Sequence, residues 1–268
     1  MIILRMKGGL GNQMFQYAMG RSLSLKTGQP LGLDLRHYGR AREHGYAMGQ
    51  YDLAATVLEG AALPALPRKN PVAYALSKIT GHFPPLLRET SLGFDAGIAN
   101  HTGPAWLEGY FQSERYFREH ADTIRAELTP ASPPDPETAR WLAEIEQERN
   151  AVSLHVRRGD YVRNLKFAAH HGSCTPEYYA RALEHVAERT GAAPVLYVFS
   201  DEPDWVVANM PLPGEVKVVR HNDATRNYED IRLMSACRHH IIANSSFSWW
   251  GAWMNRRADK VVAAPDTW

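Results

Sequence analysis

Residues 130–136 read PASPPDP, with four prolines in seven positions. Proline has no amide hydrogen and a fixed φ, so neither a helix nor a central strand continues through this stretch, and it reads as a linker at about residue 130 of the 268-residue chain. Downstream, apolar runs at 151–156, 195–199, 216–219, 240–243 and 260–263 alternate with helical segments. That alternation predicts a largely parallel sheet covered on both faces. One helix start is explicit: Thr175 as N-cap, Pro176 at the first helical position and Glu177 in the first turn. Upstream, a strand at Ile2–Met6 leads through a glycine-rich turn to a helix whose Phe15, Ala18, Met19, Ser22 and Leu23 share one face. Gly28 stops that helix, and a second strand at Leu31–Leu35 completes a βαβ unit. From Tyr38 to Gly103 the pattern loosens around prolines 64, 67, 71, 84 and 85. The expected organisation is α/β in two domains, 1–130 and 131–268.

Composition narrows the partners. Thirty lysines and arginines against 29 acids give a formal charge of +1, which lacks the basic excess of a nucleic-acid binder. Cys174 and Cys237 make no CxxC or Cys/His spacing, and the twelve histidines form no HExxH, so no metal is expected. The N-terminus MIILRMKGG turns polar too early for a signal peptide, and no apolar run is long enough to span a membrane. A cytoplasmic protein is expected.

Four segments carry residue types that do chemistry. KGGLGNQMFQYA, at Lys7–Ala18, joins strand to helix, and Gly8, Gly9 and Gly11 permit positive φ and a close approach of ligand to backbone. Asn12 and Gln13 add amide donors and acceptors suited to hydroxyls, making Gly9, Gly11, Asn12 and Gln13 a candidate substrate loop. A dinucleotide fingerprint is incomplete, because Met14 stands where GxGxxG needs its third glycine. Asp34 nevertheless stands where a ribose-binding acid would, which keeps an NAD-dependent oxidoreductase as an alternative.

SLHVRRGDYVR, at Ser153–Arg163, presents Arg157, Arg158, Asp160 and Arg163 at the carboxyl end of a strand, where open α/β sheets bind ligands. Two guanidiniums can engage a diphosphate without a metal. VFSDEPDW places Ser200, Asp201 and Glu202 at the next strand end, positioned to accept from ribose hydroxyls or to cap the following helix. In the last segment, Glu229–Trp253, an apolar strand runs into Asn244, Ser245, Ser246 and Ser248 ahead of an aromatic helix, a pattern that suits an anion. Trp249, Trp250 and Trp253 read as core. A non-catalytic sugar-binding module, resting on the aromatics and amides, is the second alternative.

In order along the chain, GGLGNQMFQYA, GYFQSERYF, HVRRGDYV, FSDEPDW, NSSFSWWGAWM and KVVAAPDTW resemble the bacterial α-1,2-fucosyltransferases of glycosyltransferase family 11. The GNQ turn and the HxR strand are also similar to those of protein O-fucosyltransferases and α-1,6-fucosyltransferases. The resemblance implies a GT-B-like fold, two Rossmann-like domains facing a cleft, with an acceptor-side N-terminal domain and a GDP-fucose-binding C-terminal one. It implies metal-independent, inverting transfer of L-fucose from GDP-β-L-fucose to the 2-hydroxyl of a terminal β-galactoside, in O-antigen synthesis. A lipid-linked acceptor would hold such an enzyme at the membrane periphery.

By the same resemblance His155 and Asp230 match guanine-contacting positions, and Arg157 and Arg158 match the pyrophosphate arginines. Ser245 and Ser246, with Asn244 before them, match the serines near the diphosphate, Asp201 and Glu202 an acidic pair near the nucleotide, and Asn12 an asparagine beside the reacting sugar. Asp160 is the carboxylate best placed to act as general base, although the arginines beside it should make it a weak one. Family members usually continue beyond the APxxW segment, whereas this sequence stops at Trp268.

Overall fold

The computed structural model describes residues 1–39, 45–59, 63, 72, 75, 84–91, 93–158 and 174–266. Their contacts divide the chain into two compact units, Met1–Ala131 and Ser132–Trp268.

The first unit runs β1 (Ile2–Arg5), α1 (Leu10–Thr27), β2 (Leu31–Asp34), β3 (Thr56–Val57), β4 (Leu86–Arg88), α2 (Ala96–Ala99), β5 (Ala105–Glu108) and α3 (Ala121–Glu127). The sheet order is β3-β2-β1-β5-β4, and every pairing is parallel. The predicted apolar face of α1 is buried, and so are Leu10, Met14 and Tyr17 on its other sides. The helix is therefore enclosed: Phe15 meets Phe117 at 6.1 Å between ring centroids, and Glu127 of α3 takes the Tyr17 hydroxyl at 2.6 Å and both ends of Arg21 at 2.8–3.0 Å. Gly28 closes the helix at φ 67°, the left-handed cap that glycine adopts without a Cβ clash.

The second unit runs α4 (Pro136–Gln147), β6 (Ala151–Val156), α5 (Pro176–Thr190), β7 (Val195–Ser200), α6 (Pro203–Asn209), β8 (Glu215–Val218), α7 (Asn227–Ala236), β9 (His239–Ile241), α8 (Ser246–Met254) and β10 (Val262–Ala263). Its sheet is again parallel throughout, in the order β10-β9-β6-β7-β8. Central β6 is buried at all six positions, as a strand covered on both faces must be. Val152, Leu154 and Val156 pack with Leu196, Val198 and Ile241 against Tyr179, Leu183 and Val186 of α5 and Val206 of α6. On the other side, α7 packs on α8 and α4. Gly251 permits that approach, since a Cβ there would stand 2.8 Å from Cβ of Met234. A buried polar chain pins β9 to β6: His240 Nδ1 lies 2.8 Å from Ser153 Oγ, and its Nε2 lies 2.8 Å from Asn255 Nδ2. Burial lowers the His240 pKa to about 3, so the ring is neutral and can accept from Asn255.

The structure corrects the expected linker in detail. Pro130 bridges Tyr51, and Ala131 N donates to Gln50 O at 2.9 Å, so the first part of the stretch is paired. Asp135 then caps α4, accepting from the amides of Glu137 and Thr138, with Pro136 at the start of the helix, where its missing N–H costs nothing. Among the described residues, no helix is long and apolar enough to cross a membrane.

Candidate active site

In the second unit the chain runs outward from β6 to β8, then returns to place β9 on the other side of β6. The carboxyl ends of β6 and β9 flank the point where strand order reverses, and open α/β sheets bind ligands at that point. Four of the predicted groups are brought to this one edge: His155, Arg157 and Arg158 at the end of β6; Asp201 and Glu202 after β7; Asp230 in α7, which follows β8; and Asn244, Ser245 and Ser246 after β9.

The arginines and acids meet each other. Arg157 Nη1 stands 3.1 Å from Asp201 Oδ2, and Asp201 Oδ1 accepts from the Arg158 backbone N–H at 3.0 Å. Arg158 Nε bonds Glu202 Oε2 at 3.1 Å while its guanidinium carbon lies 3.2 Å from the centroid of the Trp205 ring. Glu202 N donates to Ser200 Oγ at 3.0 Å, which fixes the turn carrying both acids. The two acids expected beside a nucleotide thus lie beside the two arginines expected at its diphosphate. They neutralise two half-buried guanidiniums, and Arg158 is additionally held by an aromatic face. Trp205 was not assigned from sequence, although a position three residues beyond Glu202, at the start of a helix, is a legible signal.

His155 is buried, its carbonyl accepts from Tyr179 Oη at 3.0 Å, and its ring lies 5.6 Å from that of Phe247. Burial first, and then Arg157, lower its pKa to about 4, so the imidazole is neutral; its Nδ1 has no partner among the described residues. Asp230 accepts from Asn222 Nδ2 at 2.7 Å. Burial raises its pKa to about 7 against the opposing pull of that hydrogen bond. Ser245 is the N-cap of α8, its Oγ accepting from Phe247 N at 3.3 Å, and Ser246 opens the helix behind it. Its hydroxyl thus already fills the capping role that an incoming anion would share. Asp160 lies outside the described residues.

The N-terminal turn has its own geometry. Only Gly8 has positive φ, at 77°, and a Cβ there would meet Asn12 Nδ2 at 2.8 Å. Gly9 is instead the extended N-cap of α1, at φ −75°, and Gly11 lies within the helix, so neither needs the conformational freedom expected of it. Asn12 Oδ1 accepts from Gln112 Nε2 at 2.6 Å. Gln13 is corrected: it is fully buried, its amide donates to Gly8 O and Gly45 O at 2.8 and 2.9 Å, and its oxygen accepts from Ala47 N at 2.9 Å. Every hydrogen-bonding group on that side chain except one lone pair is spent on backbone, so it holds the 45–47 segment rather than a sugar. Gln16, unassigned in the sequence, clamps Lys7 the same way, accepting from its N–H at 3.0 Å and donating to its carbonyl at 3.1 Å. The ribose-binding acid of the oxidoreductase alternative is also engaged: Asp34 is fully buried, with its two oxygens taken by Arg36 Nε and Nη2 at 2.8 and 2.7 Å.

Two parallel α/β units of this kind are the GT-B fold. The fucosyltransferase NodZ from Bradyrhizobium shares it, with 13% identity, a TM-score of 0.54 and coverage of 94% of this chain and 90% of that one. A GT-B glycosyltransferase is the class that fold and sequence define together, because residues 91–268 match glycosyl transferase family 11. The chain is 35% identical over 278 residues to an α-1,2-colitosyltransferase from Escherichia coli, covering 100% of this chain and 92% of the relative. It is also 29% identical over 287 residues to the O-antigen biosynthesis glycosyltransferase WbnK of Escherichia coli, covering 98% and 93%. The chain belongs to glycosyl transferase family 11.

Proposed function

We propose that this protein transfers L-fucose from GDP-β-L-fucose to the 2-hydroxyl of a terminal β-galactoside, with inversion and without a metal, in the cytoplasmic synthesis of bacterial O-antigen. The observation that carries this reading is the paired arginine and acid cluster at the strand-order reversal of the second unit. Breaking the fucosyl C1–O bond moves negative charge onto the β-phosphate of GDP. A guanidinium released from Asp201 stabilises that charge more in the transition state than in the ground state, as does the N-terminus of α8. His155 and Asp230 supply the guanine contacts, a neutral ring nitrogen and a carboxylate. Residues 1–131 form the acceptor-side unit, with Asn12 beside the reacting sugar.

A second donor is favoured by one observation, the colitosyltransferase relative at 35% identity. Colitose is L-fucose without its 3-hydroxyl, so the two donors differ by a single group. Turnover with GDP-L-fucose and GDP-colitose on a panel of β-galactosides, in the presence of EDTA and with the product linkage determined, tests the whole reading. An α-1,2 product formed undiminished in chelator supports it, and loss of turnover on chelation refutes the metal-free mechanism. Asp160→Asn is expected to reduce kcat by at least about 100-fold if Asp160 takes the acceptor proton. Retained activity in that variant assigns the step to a barely activated hydroxyl attacking an oxocarbenium-like centre.

A further inference from the structure

The first unit has a polar edge of its own, at the carboxyl ends of β1 and β5, where its strand order reverses. Lys7 follows β1 and Tyr110 follows β5, and the Lys7 ammonium lies 4.4 Å from the Tyr110 ring centroid. Gln16 locks the Lys7 backbone from both sides, so the side chain projects from a fixed base. This half-buried ammonium makes no hydrogen bond or ion pair with any described residue. Of the carboxylates whose charge it feels, Glu108 is paired with two arginines, and Glu89 is bonded through one oxygen while its Oε1 is buried without a partner among the described residues. Glu108 takes Arg5 at 3.3 Å and Arg88 at 3.1 Å, and Glu89 Oε2 accepts from the amides of Tyr110 and Phe111 at 2.8 and 3.0 Å.

The turn that carries Tyr110 is itself unusual. Phe111 sits at φ 53°, in the left-handed region that costs a bulky residue free energy, and the two amide bonds to Glu89 hold it there. The reversal sets Tyr110 on one side of Phe111 and Gln112, bonded to Asn12, on the other. Tyr38 and Tyr46 complete the edge: Tyr38 Oη donates to Gly8 O at 3.0 Å, and its ring lies 6.3 Å from that of Tyr46. Both Tyr46 and Tyr110 lie near enough to Tyr38 to add to the upward shift that burial imposes on its phenol. Aromatic rings, an unspent ammonium and an amide pair around one partly exposed edge suit a neutral pyranose, whose C–H face is apolar and whose rim is hydroxyl.

We propose that Lys7, Tyr110, Tyr38, Tyr46 and the Asn12–Gln112 pair form the acceptor-sugar subsite, with Lys7 donating to ring hydroxyls and the tyrosines forming the apolar wall. The assignment rests on the transferase reading above and names the residues that give it acceptor affinity. Lactose, a simple β-galactoside, is the probe. Lys7→Met and Tyr110→Ala are each expected to raise the KM for lactose about tenfold, with Tyr110→Phe near wild type and GDP affinity by calorimetry within about twofold in all three. In the wild-type protein, saturating lactose is expected to slow acetylation of Lys7, a readout that needs no variant to fold. An unchanged acetylation rate, or a lactose KM indifferent to both Lys7→Met and Tyr110→Ala, overturns the subsite. Failure of the wild type to bind GDP overturns the transferase reading instead.

Discussion

The two sheet edges that carry candidate chemistry occupy equivalent places in similar parallel sheets, yet the turns that would meet a ligand are held by different bonds. At the end of β6, charge meets charge: Arg157 with Asp201, Arg158 with Glu202. At the end of β1, Arg5 and Arg88 do pair with Glu108, but the turn that follows is held by amides on backbone, with Gln13 and Gln16 spent on carbonyls and N–H groups and the Lys7 ammonium lying over an aromatic ring. Ion pairs at a half-exposed edge are weak and exchangeable, because solvent competes for each charge. A diphosphate can therefore replace a carboxylate there at little cost. Buried amide clamps are not exchangeable, since each broken bond leaves an unsatisfied backbone group. The first edge suits binding and releasing an anion; the second suits holding a rigid surface for a neutral ligand.

The largest expected effect falls on the exchangeable edge. Arg157→Ala should lower kcat by at least about 100-fold, the loss typical of removing one electrostatic stabiliser of a developing charge. Steady-state kinetics at saturating donor measure it, and near wild-type turnover would break the comparison at its strongest point. The rigid edge should answer in stability instead. Gln16→Leu leaves the Lys7 N–H and carbonyl without their side-chain partners and should cost about 1–3 kcal/mol, read as a lower midpoint in urea. An unchanged midpoint would mean that this clamp contributes no rigidity.

Much of the architecture is legible because buried parallel strands are near-continuous apolar runs, and β6 coincides with the run at 151–156. Thr175, Pro176 and Gly28 mark helix ends through local chemistry, and they do so in the structure. The short β4 is hidden, since Leu86–Arg88 follows two prolines and is only partly buried, so it has neither length nor period to announce it. At the sites, residue type was legible and pairing was not. Asp201 and Glu202 were visible as acids at a strand end, but their arginine partners belong to another strand, and only the β6–β7 register brings them together. Gln13 misled for the same reason. An amide at a helix entrance looks free until the 45–47 segment, distant in sequence, is folded over it.

A subtler test of the exchangeable edge uses Asp230. Burial raises its pKa to about 7, whereas an acceptor for guanine N–H groups must be ionised. GDP binding should therefore release a proton and strengthen by about tenfold from pH 6 to pH 8, the ratio of ionised fractions for a group titrating at 7. The stability sign is opposite. The folded pKa exceeds the unfolded one, so the native unit binds the extra proton between about pH 4 and pH 7, and this contribution to stability is lost as pH rises through that window. Calorimetry in two buffers of different ionisation enthalpy counts the proton, and Asp230→Asn should abolish both dependences. A GDP affinity flat from pH 6 to pH 8 would remove Asp230 from the base-binding role.

The smallest expected effect asks whether the ion pairs compete with the ligand or prepare for it. Asp201 bonds the Arg158 amide through one oxygen and the Arg157 guanidinium through the other. Asp201→Asn keeps an oxygen that can accept from the amide and so preserves the turn, while removing the charge that neutralises Arg157. If the carboxylate competes with the diphosphate, the variant should bind GDP about 3- to 5-fold more tightly, within the range of a half-exposed ion pair, and its melting temperature should fall slightly. If Asp201 instead aims Arg157 at the phosphate, GDP binding weakens and kcat falls with it. Because the amide bond survives in both cases, the sign of the affinity change separates the two. Tighter binding would establish that this edge is held ready by a substitute anion, whereas the Gln13 and Gln16 clamps at the β1 turn are spent on backbone and have no such exchange to make.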